Sequence, residues 1–228
     1  MNSEQGFILS YLKYGDSNAV VHCFTQENGY ESFFVKGIYS PKNKKKAYLQ
    51  PLNEICFTTN RKNTGSLKNI SQMELSYNSD FRNNVKINTI IFFVADFLNH
   101  ILKNENYNPQ IYDEIEILKN EIKKDNYQCH LIFVFNLLKI NGLSPLLTPF
   151  RFLNPETGNF SKEQTHHLFN EEISSIWQEL ISAENTYEIT IESVLRKDFL
   201  DSLLVYYHYH YADFRTPDSL EIVQQIFG

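Results

Sequence analysis

Apolar and polar residues alternate along the first third of the chain and recur at helical spacing along the rest. Gly6-Phe7-Ile8-Leu9-Ser10-Tyr11-Leu12 reads as a strand that runs into the turn signal Lys13-Tyr14-Gly15-Asp16. Ala19 to Thr25 is a second strand. Asn28-Gly29 then makes a hairpin-type turn into a third, Tyr30 to Gly37. Residues 38 to 47 form a polar loop holding Pro41 and a lysine run, and Leu49 to Thr58 and Ser66 to Leu75 complete five strand candidates. Short strands broken by turns at this spacing suit a small Greek-key barrel.

The period changes near residue 80. Ile87, Ile90, Val94, Leu98 and Ile101 form one helical stripe, and Ile111, Ile115, Leu118 and Ile122 form another that begins near Pro109. Leu131 to Ile140 is apolar almost throughout and stops at Asn141-Gly142, as a buried helix does. Pro145, Pro149, Pro155 and Gly158 mark residues 143 to 160 as a loop. Further helices are predicted from Ser161 to Leu180, Ile191 to Tyr207 and Pro217 to Phe227. The pattern predicts an α+β protein, with an OB-fold β-barrel over residues 1–78 and an all-α helical domain over 79–228.

Charge divides along the same line. The 228 residues carry a formal net charge of −6. Residues 1–80 nevertheless sum to +2, and residues 81–228 to −8. Lys36 to Lys68 holds eight basic residues (Lys36, Lys42, Lys44, Lys45, Lys46, Arg61, Lys62 and Lys68) against one acid, Glu54. Local rather than net charge decides whether a phosphate backbone is attracted. A basic barrel on an acidic helical body therefore points to nucleic-acid binding, with these eight residues as candidate DNA contacts. Lysine is a mobile point charge suited to phosphates without base readout. Binding is thus expected to be sequence-tolerant, and neutralising Lys44, Lys45 and Lys46 together to flatten its salt dependence by roughly two units. A purely solubilising loop is the competing reading. Tyr39 and Tyr48 flank the lysines and are candidate stacking residues, and Phe33 and Phe34 must point to opposite faces of their strand.

Other chemistry is thinly represented. The cysteines, Cys23, Cys56 and Cys129, make no CxxC pair and fit a reducing cytosol. His166-His167 and His208-x-His210 lack the spacing of a metal site, and the tyrosines around the second pair read as packing residues with polar tips. No phosphate-binding loop, HExxH or GxSxG motif occurs, so no catalytic residue is assigned and no enzyme activity, metal or cofactor is expected. Met1 to Gly6 does not open a signal peptide, and the longest apolar run, Ile90 to Ala95, falls far short of a membrane span.

Taken in order, several segments resemble one family. They are Gly6-Phe7-Ile8-Leu9-Ser10-Tyr11, Tyr14-Gly15-Asp16-Ser17, Phe24-Thr25, Val35-Lys36-Gly37 and Leu49-Gln50-Pro51-Leu52. This series resembles the N-terminal domain of RecO, the bacterial recombination mediator and DNA-repair family. Phe135 to Pro145 is similar to the family's helix ending in a Gly-Leu-x-Pro turn, and Tyr206 to Phe227 to its last two helices. The resemblance implies a cytoplasmic, nucleoid-associated protein that binds and anneals single- and double-stranded DNA. It also implies contact with the single-strand-binding protein SSB and, with RecR, help in loading RecA. The family's SSB contact is a hydrophobic pocket flanked by basic residues on the helical domain, which acidic, Phe-ended SSB tails enter. Arg196 and Lys197, between Val194-Leu195 and Phe199-Leu200, are the candidate counterpart. Many family members also place a four-cysteine zinc site after the Gly-Leu-x-Pro turn. Residues 143 to 160 contain no cysteine, so that role is not carried over. The loop is expected to be held instead by Leu146, Leu147, Phe150, Phe152, Leu153 and Phe160. A generic single-strand-binding barrel protein and a protein-binding scaffold are the alternatives from other classes.

Overall fold

A computed structural model of the chain describes residues 3–60, 67–76, 84–103 and 107–227. The chain divides into two compact units, residues 1–112 and 113–228.

In the first unit five strands close into a barrel of order β1-β2-β3-β5-β4, the OB-fold arrangement. They are β1 (Ser3–Tyr14), β2 (Asn18–Thr25), β3 (Gly29–Val35), β4 (Glu54–Asn60) and β5 (Lys68–Leu75). All pairings are antiparallel except β3 with β5, which runs parallel and closes the barrel. Alternation decides the interior. Ala19, Val21 and Cys23 of β2 point inward, as do Phe33 and Val35 of β3, while Val20, His22 and Phe34 do not. Phe33 meets Phe57 edge-on at 4.8 Å in the middle of this core. Gly29 takes φ +74° in the β2–β3 turn, where an added Cβ would lie 3.1 Å from the Tyr107 backbone.

β1 is long because it serves two neighbours. Residues 3–7 pair with β4, and pairing with β2 begins at Gly6, so Gly6 and Phe7 have a partner on each side. At Leu9 a bulge shifts the register against β2, after which only β2 is paired. The strand predicted from Leu49 begins instead at Glu54. Lys44–Tyr48 forms a 3-10 turn, and Pro51 and Leu52 (φ 56°) turn the chain so that Leu52 N donates to Ile8 O at 2.7 Å. α1 (Val85–Ile101) packs on the barrel. Asn99 Oδ1 accepts from both Ser10 Oγ (3.1 Å) and Tyr30 Oη (3.0 Å).

α2 (Pro109–Lys123) contains the boundary between the units. At its start Tyr112 packs on Phe7 at 4.6 Å and donates to Glu54 Oε1 at 2.9 Å. In the second unit every residue of α3 (Cys129–Ile140) from Cys129 to Leu138 is buried, as its apolar run predicts. The segment after it is more ordered than the loop expected there. β6 (Phe152–Asn154) and β7 (Asn159–Ser161) form a small hairpin. Leu153 and Phe160 are buried, but the side chains of Leu146, Leu147 and Phe150 are exposed, and Leu146 contributes through its backbone N–H, which donates to Gly158 O at 2.9 Å. Further polar contacts add to this. Leu153 N donates to Ser174 Oγ at 3.0 Å, and His210 Nε2 lies 2.7 Å from Pro155 O.

The remaining helices start later than their apolar stripes suggest. α4 runs Glu171–Ser182, not from Ser161, because the Asn170 side chain caps it by accepting from Ile173 N. α5 (Arg196–His210) follows a 3-10 turn at Ser193–Leu195, and α6 is Leu220–Phe227. Trp177 of α4 is their shared centre. It lies 5.6 Å from Phe135, 5.9 Å from Phe199 and 5.0 Å from Tyr206, and its indole donates to Ser202 Oγ at 3.0 Å. Of the tyrosines expected to pack here, Tyr206 and Tyr207 do so with polar tips, donating to Leu143 O and Val134 O, whereas Tyr209 is exposed.

One carboxyl lies deep in this unit. Glu114 Oε1 accepts from Asn136 Nδ2 (2.8 Å) and Tyr187 Oη (2.7 Å). Burial pushes Glu114 upward, against the downward pull of those two hydrogen bonds. A raised value in the fold favours the neutral acid there. Ionisation therefore costs stability progressively as pH rises from the ordinary value of about 4.3 through the raised one, and costs nothing below that window. Urea unfolding of wild type and Glu114→Gln over about pH 4 to 7 checks this. The wild type should lose stability relative to the variant as pH increases.

Candidate nucleic-acid interface

The lysine-bearing loop after β3 is held by backbone and asparagine contacts. Gly37 takes φ +68°, its N–H donates to Asn18 Oδ1 (3.0 Å), and its carbonyl accepts from Asn43 Nδ2 (3.1 Å). Tyr39 N donates to Ser17 O at 2.9 Å, which ties the loop to the β1–β2 turn. Asn43 also caps the 3-10 turn by accepting from Lys45 N. A loop so braced presents its side chains in a defined order.

The predicted cations are not equivalent in this setting. Lys36, Lys42, Lys44 and Lys46 are exposed. Among the described residues none of the four has a carboxylate partner, and Lys46 Nζ lies 5.4 Å from the Tyr39 ring centroid. Lys45 is tied down, with Nζ 2.8 Å from Met73 O and 2.5 Å from Glu74 Oε1. Its hydrogen bond holds Glu74 below the usual carboxylate range. Lys68 is tied more firmly, 2.6 Å from Glu31 Oε1 and 3.9 Å from Glu4 Oε2, and 18% exposed. Glu4 Oε1 in turn accepts from Thr59 Oγ1 at 2.6 Å. Two carboxylates thus claim the Lys68 charge and leave little for a phosphate. Arg61 and Lys62 lie outside the described residues.

Sequence reasoning passed over Lys13 and Tyr11. Lys13 pairs across to Ala19, and Ala19 to Val35, so the strand register carries β1's far end to the start of the lysine loop. Lys13 Nζ lies 5.9 Å from the Tyr39 centroid. The turn signal at Gly15-Asp16 implied that register, but only barrel closure shows which strand ends project. Tyr39 and Tyr48 both pack in part against the core, but the Tyr48 hydroxyl lies 3.5 Å from Glu74 Oε2, whereas the Tyr39 ring has two lysines beside it. Phe33 is fully buried and Phe34 half-buried on the opposite side, where it meets Tyr14 at 5.8 Å.

In the second unit Arg196 and Lys197 border a shallow, open recess, with Leu131, Leu200, Val223 and Phe227 also lining it. His130 meets the Phe227 ring at a tilt, 5.3 Å between centroids, and burial pushes it down to about 4, so it is neutral near pH 7. Arg196 is braced by Ile191 O at 3.0 Å and Gln128 Oε1 at 3.4 Å, whereas Lys197 is exposed. The arrangement is an apolar floor with cations at its edge, which suits an apolar group carried beside negative charge.

The β6–β7 segment does not fit the structural zinc of the wider family. It holds no thiolate, the three cysteines stand in β2, β4 and at the start of α3, and the hairpin is fixed by Ser174 and His210. His166 and His167 stack on each other at 4.7 Å, and His208 lies 3.2 Å from Thr216 Oγ1. Among the described residues no group of three or more His, Cys, Asp and Glu side chains could hold a metal, and no helix is long and apolar enough to cross a membrane.

Residues 1–78 match the family model described as recombination protein O N terminal. The chain is also similar along its length to curated proteins. It is 28% identical over 236 residues to the DNA repair protein RecO of Flavobacterium psychrophilum, with 98% of each chain covered. It is 26% identical over 238 residues to that of Christiangramia forsetii and 24% identical over 232 residues to that of Flavobacterium johnsoniae, with the same 98% coverage.

Lys68 and Lys44 separate structural from available charge. Removing the Lys68 cation leaves two carboxylates facing each other in a mostly buried site. Lys68→Ala should therefore cost about 3 kcal/mol in urea unfolding. Lys44→Ala, at an exposed side chain, should stay within about 0.5 kcal/mol of wild type.

Proposed function

We propose that the chain, which is similar along its length to RecO proteins, is a DNA repair protein of that family that mediates recombination by binding and annealing DNA strands. It contacts SSB and, with RecR, helps load RecA onto SSB-covered strands. The role is one of binding and rearrangement, without bond-making chemistry, and is carried out in the cytoplasm at the nucleoid.

The observation that supports this reading best is the row of uncommitted lysines on the barrel. Lys36, Lys42, Lys44 and Lys46 present positive charge from a chain whose net charge is −6. Two DNA backbones repel each other, and a surface that neutralises phosphates lowers that barrier to annealing. The recess edged by Arg196 and Lys197 fits the second activity. An acidic tail ending in Phe places its ring on the apolar floor and its carboxylates against the cations. Holding SSB there raises the effective concentration of the barrel lysines at the coated strand.

Annealing of complementary oligonucleotides precoated with the cognate SSB tests the whole reading. Acceleration is expected, and its loss when excess SSB-tail peptide is added. No acceleration, with naked strands still bound, would instead favour a generic single-strand-binding protein. Two variants separate the surfaces. Lys44→Ala with Lys46→Ala should reduce the slope of log affinity against log salt on single strands by about 1.4 units, at about 0.7 per phosphate contact. Arg196→Glu with Lys197→Glu should abolish tail-peptide binding and leave that slope unchanged.

A further inference from the structure

The end of β1 is exposed on both of its faces. Tyr11, Leu12, Lys13 and Tyr14 are all exposed, Tyr11 at 41%. Interior strand residues of a small barrel normally bury every second side chain, and this strand does so only as far as Leu9. Beyond the Leu9 bulge Tyr11 and Lys13 share one side, by strand alternation.

Tyr39 stands beside them. Its backbone is fixed by the Ser17 carbonyl, and part of its ring packs against the barrel core. Lys13 and Lys46 approach the same ring from two different segments, at 5.9 and 5.4 Å. Burial, with the nearby Tyr11 phenol adding to it, raises the Tyr39 hydroxyl above its ordinary value, so the ring stays neutral at working pH. A braced aromatic ring with two flexible ammonium groups over it, and a second exposed aromatic near it, suits a polynucleotide: an arriving base takes the ring face, and the ammoniums swing aside onto the phosphates next to it.

Resting on the DNA-binding reading above, we propose that Tyr39 and Tyr11 form a base-stacking platform at the barrel rim, with Lys13 and Lys46 holding the flanking phosphates. This gives the site a preference for unpaired strands. A ring can reach the face of a base only where that base is not stacked inside a duplex. The lysines alone would bind any strand of equal charge density. Lys13 joins the interface although it stands outside the basic run.

The test compares three probes of equal length on the full chain: a labelled oligothymidylate, the same backbone with abasic sites, and a duplex. The expected result is binding of the base-bearing strand about tenfold more tightly than the abasic one. That ratio should fall to near one in Tyr39→Ala and be preserved in Tyr39→Phe. Tyr11→Ala, at an exposed position, should lower it in part and serves if Tyr39→Ala does not fold. Equal affinity of wild type for the base-bearing and abasic strands would overturn the platform while leaving phosphate binding intact. No measurable binding of any probe at low salt would overturn the DNA-binding reading, and the platform with it.

Discussion

Closure of the five-stranded barrel is the constraint on which the candidate interface depends. β1 must satisfy β2 on one edge and β4 on the other, and it can do so only over its first half. The bulge at Leu9 bends the strand out of register, and the 50–53 turn bonds to Ile8 at the point where β4 is still to begin. Each of the five strands then has a neighbour on both sides, which a barrel achieves by removing its edges. The second half of β1 is carried past the closure with only β2 beside it. The loop after β3 folds back onto the same end of the barrel through Ser17 and Asn18. Strand ends and the lysine loop are therefore brought together by the geometry of closure.

Electrostatics then sorts the cations that this geometry gathers. A lysine near a half-buried carboxylate gains more from a short ion pair than from water, and the cost of desolvating both charges is met only if neither is left alone. Lys68 sits between Glu31 and Glu4 under such conditions, and Lys45 is bound to Glu74 and the Met73 carbonyl. Lys68 is committed to holding the barrel, while the Lys45 pair with Glu74 is exposed and weaker. The lysines that remain, Lys36, Lys42, Lys44 and Lys46, are exposed, and among the described residues none of them meets a carboxylate.

The helical unit solves a different problem. It buries a large aromatic set, and Trp177 organises it through edge and tilted contacts with Phe135, Phe169, Phe199 and Tyr206. The polar ends of Trp177, Tyr206 and Tyr207 each find an oxygen. Tyr206 also lies against Gly158, where an added Cβ would come within 2.8 Å of its hydroxyl, so the hairpin is seated by shape as well as by hydrogen bonds. This accounts for a segment without cysteines keeping a defined fold.

Periodicity alone determined much of this protein. The alternation over residues 5 to 76 and the helical stripes beyond residue 85 specify a barrel followed by helices, because side-chain direction follows the local backbone period. The ordered segments from Gly6 to Pro145 were enough to suggest the RecO family. Helix starts at Asn170 and Arg196 were missed by several residues, since a cap or a 3-10 turn overrides an apolar stripe. What only the tertiary structure decided is which charges and rings are available. Lys44, Lys45 and Lys46 are neighbours in sequence and equal in chemistry, yet one meets a carboxylate and two do not. Lys13 lies far from them in sequence and joins them in space through the pairing of Lys13 with Ala19 and Ala19 with Val35. Availability depends on what lies within a few ångströms, and long-range strand pairing sets that distance where spacing along the chain does not.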